Sequence, residues 1–206
     1  MAVDLAALVD PGQTALVAQE CQNGVIGDAA VLRDLADEAH RVAVPNIARL
    51  LLGARASAVQ VVHCLAVRRA DDKGSNSNAR LFAATRKLGI RLEPGTPEAD
   101  VIPELSVLPE DLLLTRFHGL GPMGGTDLDP VLRNLGVTTI VCVGVSVNVA
   151  ITSLVMDAVN AGYRVVLPRD AVAGVPASYA DAVIDNTLSL LATVTTTDDL
   201  LAAWAL

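Results

Sequence analysis

Apolar residues along this chain follow two rhythms. Short runs dense in Val, Leu and Ile, too brief for a helix, read as strands: Thr14–Glu20, Ser57–Cys64, Asp111–Arg116, Thr138–Val143 and Arg164–Leu167. A last short strand opens the stretch "VTTTDDLLAAW", followed by a terminal helix capped near Thr197. Between the strands the spacing changes to that of helices. Val31–Leu52 carries Leu32, Leu35, Ala39, Val42 and Leu50 on or near one stripe, with Gly53 as a stop and Pro45 expected to kink or divide it. Ala79–Lys87, Asp127–Leu135 (stopped by Gly136), the segment after Asn148 and Ser178–Ala192 are further helices.

Strands alternating with helices imply parallel pairing through right-handed crossovers, hence an α/β, doubly wound three-layer sandwich. Nothing in the chain marks a domain boundary, and 1–206 reads as a single domain. In open sheets of this kind ligands bind beyond the carboxyl ends of the strands, where strand order reverses. That rule selects Glu20, His63, Arg116 and the turn Gly144–Ala150.

Composition narrows the picture. Apolar residues make up 52% of the chain, yet there are two Phe, two Tyr and one Trp, so the core is aliphatic, as a sheet covered on both faces requires. A net charge of −8 argues against a nucleic-acid partner. The N-terminus has no secretory pattern, and no basic or aromatic stripe suits a membrane surface. Leu135–Met156 is uncharged and long enough to span a bilayer, but its glycines and β-branched first half fit strand–turn–helix better. Three cysteines without a CxxC pair point to a reducing cytoplasm.

"GLGPMG" (Gly119–Gly124) matches a dinucleotide pattern. Phe117 and His118 intervene after the strand, Pro122 removes a donor, and no acid follows about 20 residues on, so a loop lining the crevice is the better reading and no cofactor is expected. His40 is expected in solvent, whereas His118 should overhang the crevice. A metal shared by His63, His118 and Glu20 lacks any supporting spacing, and none is expected. Cys142 reads as a small core residue.

The stretches "TALVAQECQNGVIG", "LLLTRFHGLGPMGGTDLDPVLRNLGVTTIVCVGVSVNVAITSLVMDAVNAGYRVVLPRDA" and "TTTDDLLAAW" together resemble the isochorismatase-like superfamily, over about Thr14–Trp204. The resemblance implies a six-stranded parallel sheet of order 3-2-1-4-5-6. In amidase members it implies an Asp base, a Lys and a Cys nucleophile. Carried onto this chain those positions are Glu20, Arg116 and Ala150, and all three differ. A methyl group at Ala150 excludes an acyl-enzyme there. Isochorismatases proper carry a small residue at this point and hydrolyse a vinyl ether without a protein nucleophile, so Glu20 is a candidate acid with Arg116 as its cationic partner. The scarcity of rings to grip a cyclic diene sets the chain apart from a close isochorismatase.

Expectations follow from this resemblance. Glu20 and Arg116 should pair within about 6 Å. Val145–Ser146 should be a cis peptide. Backbone donors across Ser146, Val147, Asn148 and Ala150 should receive a substrate oxygen, with Asn148 also a helix cap. Asp170 should fix the loop after the fifth strand. The chain should act on a small molecule and self-associate. Two other readings stand beside a Glu20-dependent hydrolase: a non-catalytic binding or assembly protein, and an enzyme whose nucleophile has moved to Cys21 or Cys64.

Overall fold

The computed structural model describes residues 4–205. Its strands are β1 (Thr14–Gln19), β2 (Gln60–Ala66), β3 (Leu112–Arg116), β4 (Thr139–Val145), β5 (Arg164–Pro168), β6 (Val172–Ala173) and β7 (Thr193–Thr195). Its helices are α1 (Leu5–Leu8), α2 (Asn23–Ile26), α3 (Arg33–Glu38), α4 (Val44–Ala56), α5 (Arg80–Lys87), α6 (Leu128–Asn134), α7 (Thr152–Asn160), α8 (Ala177–Asn186) and α9 (Thr197–Trp204).

All strand pairs are parallel, in the order β3-β2-β1-β4-β5-β7, so β7 is the sixth strand expected from the sequence. The additional β6 has a geometric cause. β5 pairs with β4 over Thr139–Val141 and then diverges toward β7. The edge that β5 leaves at the carboxyl end of β4 is paired by Val172 and Ala173, which meet Gly144 and Val145.

Strand side chains alternate between two cores, as a period of two demands. Leu16, Val141 and Val143 meet α4 and α9 through Ile47, Leu50 and Leu200. Val17, Ile140 and Cys142 meet the opposite layer through Leu128, Leu154 and Ile184. The uncharged stretch Leu135–Met156 divides into β4, a turn and the start of α7, and among the described residues no helix is long and apolar enough to cross a membrane.

Two expectations about the long second-layer helix change in detail. Pro45 does not divide it, because α3 passes into α4 through a π-helical segment, Ala39–Ala43. There Val44 N–H bonds to the Ala39 carbonyl, five residues back, and the widened turn precedes a proline in the first turn of α4, where its missing N–H costs least. Gly53 lies inside α4 instead of ending it, where a Cβ would collide with Leu201 of α9. The helix ends at Ala56, and Ala58 turns left-handed at φ 57°.

Candidate functional site

The reversal of strand order falls between β1 and β4, and a crevice of about 210 Å³ opens over their carboxyl ends. Its floor comes from Glu20, Arg116, Val145, Ser146 and Ala150; a roof over residues 68–92 adds Arg68, Asn76, Phe82 and Leu92. Gly144 lets the two floor strands meet. It holds φ 108°, and a Cβ there would strike the Gln19 carbonyl.

Glu20 follows β1 directly and adopts φ 52°, a conformation uncommon outside glycine. Its N–H continues the ladder to the Cys64 carbonyl at 2.9 Å, so the backbone is anchored as it turns. Oε1 accepts from Gln19 Nε2 at 2.9 Å and from the Arg116 guanidinium. The side chain is 17% exposed. Burial raises its affinity for a proton, Arg116 and Gln19 oppose, and burial prevails: the carboxyl titrates above its ordinary value.

Glu20 and Arg116 therefore form the expected charged pair. Arg116 does more than neutralise it. One terminal nitrogen donates to the His118 carbonyl at 3.2 Å and the Gly119 carbonyl at 2.8 Å, and the other reaches the Leu120 carbonyl at 3.4 Å. The guanidinium thus clamps the loop after β3 onto the floor, while its buried Nε has no partner among the described residues. Two carbonyls of "GLGPMG", those of Gly119 and Leu120, face a cation, unlike a phosphate cradle of N–H groups.

Beyond β4 the Val145–Ser146 peptide is cis. Val147–Ile151 form a π-type turn leading into α7, in which Val149 and Ile151 both donate to the Ser146 carbonyl, at 3.2 and 3.0 Å. Ser146 and Ala150 line the crevice. Val147 is buried in the core beneath, outside the crevice lining. Asn148 is not a helix cap: the chain turns at Ser146, and the Asn148 amide reaches back to the Val175 carbonyl at 3.5 Å. It too lies outside the lining, with a buried Oδ1 lacking a partner among the described residues. Asp170 ties the loop after β5 to α9, accepting from Thr197 N–H at 2.8 Å and its hydroxyl at 3.0 Å.

Other candidates fall away from the crevice. His63 lies inside the sheet, because β2 runs on to Ala66; it is fully buried, 3.4 Å from Asp111, and burial lowers its proton affinity. His118 is exposed and lines the crevice, whereas His40 is exposed but its ring meets the Ile26 carbonyl at 2.9 Å. Among the described residues no three His, Cys, Asp or Glu side chains gather as a metal set would. Cys21 and Cys64 are buried outside the lining, and burial pushes each thiol up to about 12. A thiol held protonated is a poor nucleophile.

Two groups escape the sequence reading. Gln19 is wholly buried and donates to Glu20, yet nothing marks it among strand residues. The roof residues Arg68, Asn76 and Phe82 lie in and after a polar loop that is easily taken for a connector. The same topological rule applied at the true end of β2 points straight at that loop.

The isochorismatase domain family matches residues 14–199. The ureidoacrylate amidohydrolase RutB of Agrobacterium fabrum is 29% identical over 180 residues, covering 78% of this chain and 76% of that protein. A cysteine hydrolase from Pseudomonas syringae superposes with a TM-score of 0.83 at 24% identity, covering 96% of this chain and 95% of that one. An isochorismatase family protein from Burkholderia thailandensis superposes with a TM-score of 0.74 at 26% identity, over 95% and 97% of the two chains.

Proposed function

The chain belongs to the isochorismatase domain family, and from that premise we propose that it hydrolyses a small molecule without a covalent enzyme intermediate, Glu20 supplying the proton. The observation that carries this reading is the state of Glu20. It sits in a strained backbone conformation on the crevice floor, and burial keeps its carboxyl protonated to higher pH than usual. A general acid needs that shift.

Ala150 supports the same route by subtraction. The resemblance assigns this position to a nucleophile in amidase members, and here it presents a methyl group to the crevice. With Cys21 and Cys64 buried and protonated, a thioester path has no donor sulfur. A vinyl ether suits what remains. Glu20 protonates the enol carbon, water adds to the oxocarbenium and returns a proton to the Glu20 carboxylate. The hemiketal then collapses to a ketone and an alcohol.

Arg116 limits how far Glu20 is shifted, and its clamp on three carbonyls favours a second reading. A cation engaged in holding a loop suits a crevice kept for binding. Wild-type protein and Glu20→Gln assayed against small vinyl ethers, amides and carbamoyl compounds separate the two. Turnover abolished by Glu20→Gln supports the hydrolase; an inert wild type that still binds members of the panel supports the second reading.

A further inference from the structure

Two arginines line the crevice, and they are in opposite states. Arg116 is paired with Glu20 and bonded to three loop carbonyls, so its charge is spent on the protein. Arg68 is held at its backbone and loose at its head. Its N–H donates to the Leu92 carbonyl at 2.9 Å, one residue after Val67 N–H bonds to Arg116 O. Its guanidinium makes two long contacts, 3.3 Å to Asp72 and 3.3 Å to the Thr85 hydroxyl. Asp72 is 47% exposed and stands outside the lining, so solvent weakens that pair. Arg68 itself is 19% exposed.

The lining carries one carboxyl, Glu20, and two guanidinium groups, Arg116 and Arg68. Arg116 is committed to Glu20 and the loop carbonyls, which leaves Arg68 as the lining cation held by long contacts alone, beside the apolar side chains of Leu81, Phe82, Ile90 and Leu92. On the reading of this crevice as the substrate site, we propose that its ligand is a small monocarboxylate with a short apolar body, and that Arg68 receives the carboxylate. The guanidinium fork matches a carboxylate bidentately, and exchanging a half-solvated Asp72 for a ligand held in the crevice strengthens the contact. One weakly held guanidinium receives one carboxylate. A volume of about 210 Å³ is below the usual range for drug-sized ligands, which sets the size class.

Calorimetric titration of the whole protein with two matched pairs, crotonate against crotonamide and benzoate against benzamide, tests this without relying on turnover. The wild type should bind each acid about 10-fold or more tighter than its amide, the worth of one charge-assisted contact. Arg68→Gln should reduce that preference to about 2-fold or less with amide affinity unchanged, and Arg68→Lys should retain part of it. Asp72→Asn, which frees Arg68 and is an exposed substitution, should tighten the acids. Equal affinity for acid and amide in the wild type overturns the proposal, as does a preference that survives Arg68→Gln, or an acid affinity unmoved by Asp72→Asn. The preference should persist in Glu20→Gln, so an acid preference without any turnover sinks the hydrolase and leaves this assignment. Turnover with no acid preference does the reverse.

Discussion

The floor and the roof of the crevice are built by different physics. The floor is the meeting of β1 and β4, whose residues are almost all fully buried and whose backbone approach is tight enough to demand Gly144. The roof is the segment from Arg68 to Leu92, in which α5 has no buried residue at all. The floor holds a strained carboxylate, a cis peptide and a clamped arginine; the roof holds an arginine with long contacts and a ring resting over the cavity. Strain at Glu20 persists where surrounding structure over-determines it. A rigid floor suits chemistry, which needs a proton placed closely; a loosely packed roof suits selection of the ligand.

The largest expected effect comes from the floor's acid. Glu20→Gln keeps the shape and removes the proton, and turnover should fall by about 10²- to 10⁴-fold, the usual worth of a placed general acid. An initial-rate comparison at one pH reads this directly. Gly144→Ala attacks the floor's backbone. A Cβ forced against the Gln19 carbonyl at φ 108° should cost about 3 kcal/mol or more, seen as a melting temperature lower by roughly 6–12 °C.

Arg116→Lys keeps the charge near Glu20 but loses the fork that holds His118, Gly119 and Leu120. Destabilisation of about 1–3 kcal/mol by denaturant titration is expected, with faster proteolysis of the loop after β3. At the small end stands Phe82→Ala in the roof. Its ring is half-buried, so stability should change by less than about 1 kcal/mol while ligand affinity falls several-fold. If Phe82→Ala destabilised the protein as much as Gly144→Ala, the contrast between floor and roof would be wrong.

Strand order and the place of the crevice were legible because both follow from parallel crossovers, which leave a strong mark in alternating apolar runs. Glu20 and Arg116 were legible as strand ends. His63 falls inside the sheet because β2 begins three residues later than its apolar run and ends two later, at Ala66: Ser57 caps α4 and Ala58 turns left-handed. Pro45 does not divide the helix because a π-helical segment precedes it, and such a segment leaves no mark in the apolar spacing. Residue type suggests a cap at Asn148, whereas position in the turn decides its contacts. The roof stayed invisible for a simpler reason. Its residues pack against a cavity instead of a core, and no periodicity records that.

In the proposed reaction the buried Glu20 carboxyl, with its raised proton affinity, acts in its protonated form. Protonated Glu20 is the active species, so the rate should be full below its pKa and fall as pH rises through it, at a point above the ordinary carboxylate range. The most direct test is the pH dependence of turnover for wild type and Glu20→Gln on the best vinyl ether found. A falling limb displaced upward in the wild type, with turnover lost in the variant, is the expected result. A rate that climbs with pH, or turnover that survives Glu20→Gln, would contradict it.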